Sequence, residues 1–575
     1  MYQLNRYYFF ILVFACLQMF CLTSTAQDVD NMLHAKPVVI HGVFSVAGNY
    51  NAQSSGGSMQ YSHPFNLIIS ANTNISIYGF SVPLSFMWSP QASSFQQPFN
   101  QFSLSPRYKW LQLYLGYQNL NFHPYTLAGQ TVFGYGAEIT PGKFKLGAIY
   151  GRFAKASAID TVTQSLQPVN FARKGFAAHL GYGSASSYID LSVIDAHDDS
   201  ASLHGVDLNK LSAQYGQDIA PAYNLAAGIK ARLAIGRHLY WEGIGGASIY
   251  TRDMRNSNYP ESDLAIYKTV KQFVLINSTT EWYKAYQTAI GYTGNNWSLK
   301  FQYQYIDPDF RTMGAYNINN DIQNYTVAPS FYLFKKRLSF VSSFGIQTDN
   351  LNKLKSQTSK RFIANLALNA FVNKHLSVSG NFSNYSINVN PELKKIADTI
   401  RITQSNKNYS FTPVYTIAGA SKTHSVIASA NYNSMNDYSN IYAAGLQYRT
   451  INTLGTFINY SIHFIPADFT VQTGLNYVNT KGMGLTDQNQ GLTLGLTKSF
   501  ANKTFTGNIS GSYLTGKRNG NDTRIYNGTA QISYTIKKHH RFSLNANTNN
   551  TTVLAAGGNQ QISYSRVDIV YAYQF

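Results

Sequence analysis

The residues best suited to metal chemistry lie in one short stretch, Asp195-Ala196-His197-Asp198-Asp199, with His204 and Asp207 close behind it. Only 26 of the 575 residues are Asp or Glu, so this density is unusual for the chain. Carboxylates bind calcium, and carboxylates with imidazole suit zinc. We therefore predict a divalent-cation site at Asp195, His197, Asp198 and Asp199. The alternative is a solvated acidic loop, because the spacing fits no calcium-binding loop.

Sequence motifs of common enzymes are absent from the chain. It contains no G-x-S-x-G, H-E-x-x-H, C-x-x-C or G-x-x-x-x-G-K-[ST], which are signatures of hydrolases, zinc proteases, redox proteins and nucleotide-binding proteins. Both cysteines, Cys16 and Cys21, lie in the first 26 residues. We expect neither an enzyme nor a cofactor.

The N-terminus has the pattern of an export signal. Arg6 precedes an apolar run from Tyr7 to Leu22, and small residues then lead to Ala26 and Gln27. This order indicates a signal peptide, residues 1–26, cleaved between Ala26 and Gln27. Since no later apolar run reaches the roughly 18 residues of a membrane helix, the exported chain is either soluble or a β-barrel.

Period-2 alternation of apolar and polar residues runs through the rest of the chain. Among the clearest examples, Leu299, Phe301, Tyr303 and Tyr305 alternate with Lys300, Gln302 and Gln304. Tyr526, Ile532 and Tyr534 likewise alternate with Asn527, Gln531 and Ser533. The polar positions hold Asn, Thr, Gln and Ser, whereas the outer face of a soluble sandwich would carry more Lys and Glu. This pattern favours strands with lipid on one face and a wet lumen on the other.

The last strand carries the strongest signal. Its apolar positions alternate up to the final residue of the sequence, and they are Val567, Ile569, Tyr571, Tyr573 and Phe575. A terminal Phe behind such a face resembles the C-terminal strand of Gram-negative outer-membrane β-barrels. The resemblance implies that these five residues form the signal read by the barrel-assembly machinery. Residues 98–153 also resemble uncharacterised outer-membrane proteins.

Composition supports the same fold class. The chain is 44% hydrophobic, only 12% charged and carries a net charge of +19, whereas a soluble domain is usually about 25% charged. We predict an all-β protein, a large transmembrane antiparallel β-barrel of about 24–26 strands spanning residues 65–575. Residues 27–64 are predicted to be a partial plug or a first strand, and they are too few for the plug domain of a TonB-dependent receptor.

These predictions define an expected location and expected partners. We place the protein in the cell outer membrane, in contact with outer-membrane lipid and lipopolysaccharide, and we expect no nucleic-acid partner, because the chain is exported. The leading function is a channel or transporter for polar solutes with weak anion preference. The alternative is a barrel that anchors or helps display a surface protein or lipoprotein.

Overall fold

The chain forms one closed antiparallel β-barrel. A computed structural model describes residues 38–575, except 56–57, 60–63, 79, 91–100, 158–169, 204–218, 259–266, 268–271, 273, 355–359, 390–401 and 438–448. Pairing of the first strand with the last closes the wall, which has 26 strand positions. In the described part of the chain, no helix is long and apolar enough to cross a membrane. The predicted fold class and strand number are confirmed.

The wall follows chain order, and each strand pairs with its neighbours in sequence. The first half consists of β1 (Val38–Ser55), β2 (Ser58–Met59), β3 (Phe65–Ile77), β4 (Phe80–Trp88), β5 (Gln101–Leu104), β6 (Arg107–Tyr108), β7 (Leu111–Asn121), β8 (Ala128–Ile139), β9 (Phe144–Ala154), β10 (Ala172–Gly183), β11 (Tyr188–Asp199), β12 (Tyr223–Ile235), β13 (Leu239–Thr251) and β14 (Thr280–Thr293). A single 3-10 turn, Ser200–Ser202, follows β11.

The second half consists of β15 (Trp297–Ile306), β16 (Ile322–Leu333), β17 (Leu338–Thr348), β18 (Lys360–Phe371), β19 (Leu376–Val389), β20 (Ile402–Ala418), β21 (Lys422–Asp437), β22 (Arg449–Phe464), β23 (Phe469–Gly482), β24 (Leu485–Phe500), β25 (Phe505–Arg518), β26 (Asn521–Ile536), β27 (His540–Ala555) and β28 (Gly558–Gln574). β2 only extends the hairpin of β1, and β5 and β6 together fill one wall position between β4 and β7.

Residue parity separates the inner face of the wall from the outer face. Cross-strand partners share a face, so the register carries one assignment around the whole barrel. On β26 the outer face holds Tyr526, Ile532 and Tyr534, and the inner face holds Asn527 and Gln531. The alternation read from the sequence therefore has the orientation that was predicted for this strand.

The two ends of the barrel differ in their connections. At one end, the turn end, twelve short connections of two to four residues join the strands, and β28 also finishes there. The other end, the loop end, carries all the long connections. By composition alone, the polar segments 479–488, 516–523 and 550–559 indicate long loops, and this interpretation is wrong. β23 to β28 continue through these segments and turn within two residues, and their backbones pair in register as antiparallel hairpins.

Residues 38–55 of the predicted N-terminal segment belong to the wall. β1 pairs with β28 through residues 43–55 and with β3 through residues 38–50. Of the two interpretations of residues 27–64, the structure thus gives a first strand for 38–55. The predicted signal peptide, Ala26 and Gln27 lie outside the described residues.

Candidate functional site: the barrel lumen

One short loop, residues 122–127, folds from the loop end into the lumen. His123, Tyr125 and Leu127 are at most 4% exposed, although they belong to a connection between two wall strands. The His123 ring bonds the Ile229 carbonyl at 3.1 Å, and the hydroxyls of Thr126 and Ser192 lie 2.7 Å apart. The loop is therefore anchored against the inner face of β11 and β12.

A second loop, residues 307–321, meets the first inside the barrel. The Ala128 N–H donates to the Gly314 carbonyl at 2.8 Å, and the Phe310 ring packs against Tyr125 with centroids 5.6 Å apart. The carboxamide oxygen of Asn224 on β12 accepts from the Met313 N–H at 2.9 Å. The two loops together form an internal brace across the sector β8 to β16, and we call them the brace loops.

Small residues on the inner wall make room for the brace loops. A Cβ on Gly246 would lie 2.4 Å from the Tyr125 Cβ, and one on Gly228 would lie 2.4 Å from His123 Nδ1. Such distances are well inside van der Waals contact, so any larger side chain would displace the loop. The small inward residues beside the loops are Ala226 and Gly228 on β12 and Gly246 and Ser248 on β13.

A belt of ionisable side chains lies on the same sector, between the brace loops and the turn end. Arg232 bonds Glu242 at 2.6 Å, Lys300 reaches the same carboxylate at 3.2 Å, and Lys230 lies 3.8 Å from Asp190. We define this charged belt by its inward-facing members, which are Glu138, Lys145, His179, Asp190, Lys230, Arg232, Glu242 and Lys300.

Not every polar atom of the charged belt is satisfied. His179 Nε2, Asp190 Oδ1 and Arg232 Nε are buried without a hydrogen-bond partner among the described residues. Buried polar atoms rarely stay unpaired, and water or a solute is the usual partner. The charged belt can therefore bind polar groups of either sign in the lumen.

The inner wall from β19 to β26 has a different character. Ser, Thr, Asn, Gln and Gly predominate there, and many side chains bond across strands, as Asn508 does to Thr497 at 2.7 Å and Asn527 to Ser512 at 2.9 Å. Among the inward side chains described in this sector, only Asp487 and Arg518 carry a formal charge, and they pair at 2.6 Å. We call this surface the neutral wall. It offers hydrogen bonds without net charge.

The predicted metal ligands are divided between the two faces of β11. Asp198 points inward, where it pairs with Arg173 at 2.9 Å, whereas Asp195, His197 and Asp199 point outward. Asp199 pairs with Lys174 at 2.7 Å. Within the described residues no group of three His, Cys, Asp or Glu side chains is placed to hold a metal. His204 and Asp207 lie outside those residues, and the cation site stays a prediction.

The five predicted assembly residues lie together on the outer face of β28. Val567, Ile569, Tyr571 and Tyr573 share that parity, and the Phe575 N–H donates to the Gly42 carbonyl at 3.0 Å. The Tyr573 and Phe575 rings pack edge to face at 4.8 Å. The structure thus groups them at the seam that closes the barrel.

No protein-family model matches the chain, and no curated protein is significantly similar to it in sequence. Among solved structures, it is similar to the translocation pore of the P pilus usher PapC (10% identity, TM-score 0.38, 93% of this chain and 99% of that one). It is also similar to the FrpB iron transporter of Neisseria meningitidis (10%, 0.35, 96% and 83%) and to OccAB4 of Acinetobacter baumannii (10%, 0.28, 62% and 92%). All three TM-scores are below 0.5, so none of these likenesses assigns a function.

Proposed function

We propose that the protein is an integral outer-membrane channel that passes polar solutes through its lumen. The observation that carries this proposal is the sorting of side chains by parity, with an apolar outer face and a polar inner face around a closed wall. A closed sheet satisfies all its backbone hydrogen bonds in lipid, and a polar interior is typical of barrels that conduct.

The width of the barrel supports conduction. A circular barrel of this strand number would measure about 50 Å between opposite backbones, given usual strand spacing and tilt. Side chains alone fill a barrel of only about eight strands. The brace loops occupy one sector, and we propose that solutes pass along the neutral wall opposite them.

The anion preference of this channel is expected to be weak. The charged belt holds four Lys or Arg residues against three acids, so its excess charge is small. The neutral wall adds one balanced ion pair. The charged belt and the neutral wall together carry an excess of one positive charge, and this small excess favours anions slightly.

The partners of the channel remain those expected from the sequence. We propose that outer-membrane lipid and lipopolysaccharide surround the wall, and that the barrel-assembly machinery inserts the chain. The apolar outer face supports the first proposal, and the position of the five assembly residues at the closing seam supports the second.

Planar-bilayer recording with purified protein tests the channel. We expect stepwise conductance in symmetric salt and a small reversal potential of the anion-selective sign under a salt gradient. A folded barrel without conductance would contradict the channel and favour the anchoring or display of a surface protein or lipoprotein. In that case a stoichiometric partner should co-purify from membranes.

A further inference from the structure

The turn end carries a nearly uniform positive charge. Its twelve connections contain one acid, Asp468, and ten basic residues, which are Lys109, Lys143, Arg237, Lys335, Lys336, Arg337, Lys374, Lys503, Lys537 and Lys538. No salt bridge is recorded for any of the ten within the described chain. They are spread around the perimeter, and we call them the basic ring.

Backbone preference does not explain the basic ring. Six of its lysines have positive φ angles, between 49° and 68°, and these are Lys109, Lys335, Lys336, Lys503, Lys537 and Lys538. Positions with positive φ favour Gly and Asn, because most other side chains are strained there. The tight turns Met483-Gly484 and Asn519-Gly520 of the loop end place glycine at their second positive-φ position. At the turn end, lysine therefore occupies positions that local conformation disfavours.

A shallow groove adjoins the basic ring on the outer face of the closing strands. Its volume is about 420 Å³, and Ile536, Lys537, His540, Phe542 and Tyr571 line it. The Tyr571 hydroxyl lies 2.9 Å from His540 Nδ1, and the Phe542 and Tyr571 rings pack at 4.9 Å. The groove thus has an apolar aromatic floor and basic groups at its turn-end edge.

We propose that the basic ring binds the headgroups of anionic phospholipids in the leaflet at the turn end, and that this groove is one discrete headgroup site. The proposal rests on the membrane insertion proposed above. A planar anionic leaflet meets all sides of the barrel at once, which matches a ring better than a discrete protein partner does. Lysines near an anionic leaflet gain electrostatic attraction, and Tyr belongs at the interface beside them.

The test removes positive charge from the basic ring and relieves the conformational strain of its turns. Lys537→Asn with Lys538→Gly, combined with Lys335→Asn and Lys336→Gly, replaces four lysines by residue types that tolerate positive φ. The control removes two outward lysines at the loop end, Lys481→Asn and Lys517→Asn, and it is compared with a turn-end variant of equal charge that carries only Lys537→Asn and Lys538→Gly. Each protein is reconstituted with equal phosphatidylglycerol and phosphatidylcholine, and native mass spectrometry counts the lipids retained.

We expect the wild type and the control to retain phosphatidylglycerol preferentially. The turn-end variant should lose this preference by about fivefold for each lysine that contacts a headgroup, the factor that follows from ~1 kcal/mol per charge. High salt should weaken wild-type retention in the same direction.

Two results would overturn the proposal. One is an unchanged preference in the turn-end variant, and the other is a preference lost only in the loop-end control. An acidic protein that co-purifies with the wild type and not with the turn-end variant, while lipid retention stays equal, would assign the basic ring to a protein partner instead. Heat-modifiable migration on gels measures separately whether each variant folds and inserts as a barrel. A failure of the proposed membrane insertion can therefore be distinguished from a failure of lipid binding.

Discussion

Each side chain in a wall strand faces either the lumen or the outside of the barrel. Within one strand, odd and even residue numbers separate the two faces. On β26, Ala530 is outward between Ile509 and Ala546, whereas its neighbour Gln531 is inward beside Asn508. Outward aromatic pairs mark the edges of the apolar band. The rings of Tyr513 and Tyr526 pack in a tilted arrangement, with centroids 4.8 Å apart, toward the loop end, and Tyr534 lies near the turn end.

An arginine scan tests both face and depth. We expect Ala530→Arg to cost about 2–4 kcal/mol of unfolding free energy, because it places a charge at mid-band on the lipid face. Tyr534→Arg should cost about 0–1 kcal/mol, because it lies at the interface. Gln531→Arg and Ser533→Arg are the inward controls, and we expect little change in a denaturant titration. Equal costs at 530 and 531 would contradict the assignment of faces.

The pKa of His123 makes the first brace loop sensitive to acid. Burial lowers this pKa to about 4, from an ordinary value near 6.5, with Lys230 lowering it further and Asp190 opposing. The unfolded chain takes up the proton below about pH 6.5 and the seated ring does not, so seating weakens as pH falls from 6.5 to 4.

We expect proteases to cleave loop 122–127 faster at pH 5 than at pH 7.5. We also expect a larger channel conductance at pH 5, because a displaced loop obstructs the lumen less. The variant His123→Gln, which does not titrate, serves as the control. The same pH response in that variant would assign the effect to another group.

The candidate metal ligands show that closeness in sequence does not by itself place side chains together in space. Asp195, His197, Asp198 and Asp199 look like one cluster in a loop. They lie instead in a strand, and a strand sends consecutive side chains to opposite faces. The β-branched and aromatic residues that surround them were the available signal for a strand.

At the level of elements, the packing of loop 122–127 against the wall depends on glycines in β12 and β13, which leave room for its side chains. We expect Gly246→Ala to displace loop 122–127, with a cost of about 1–3 kcal/mol typical of overpacking. Gly245→Ala on the opposite face is the matched control, because its added Cβ would meet only the Ile229 methyl at 3.4 Å. Thermal unfolding and limited proteolysis of the loop measure the difference. Equal effects of the two alanine substitutions would show that the loop does not pack against the inner face at Gly246.

The closing strand is the element on which assembly is expected to depend. Deleting Phe575 removes the bond to Gly42 and the ring beside Tyr573. We expect the shortened chain to accumulate as protease-sensitive material outside the outer membrane. Normal heat-modifiable barrel in membrane fractions would contradict the assembly role. Phe575→Tyr, which keeps the ring, is the control and should assemble.

The elements were predictable from the sequence to different degrees. Alternation located the strands and their faces, since a period of two is visible in sequence and residues 526–536 follow it closely. It could not show that residues 122–127 and 307–321 turn inward, because a short polar loop looks alike in either direction. The inward Gly and Ala of β12 and β13 mark where a loop can rest, and they were a readable signal. Hairpin length at 479–488 was misread, because polar strand ends resemble loops.

At the scale of the whole molecule, the positive charge is distributed unevenly. Among the described residues, the turn end carries ten basic residues against one acid, whereas the charged belt and the neutral wall together carry five basic residues against four acids. We expect Arg232→Gln with Lys300→Gln to shift the reversal potential toward cation preference, because the charged belt then becomes net acidic. Lys335→Asn with Lys336→Gly, which removes the same charge from the turn end, is the control. An equal shift in both would show that the turn end also controls permeation.

The position of the brace loops also has a mechanical consequence. The wall is a shell one strand thick, and both hydrophobic clusters that the brace loops form with it lie between residues 120 and 322. The brace loops stiffen the wall only where they pack against it. Among the described residues, the arc from β19 to β26 belongs to neither cluster, so we expect it to bend more easily than the braced arc under sideways pressure. A solute wider than the resting gap could then be admitted by ovalisation of the barrel, with no hinge and no moving gate.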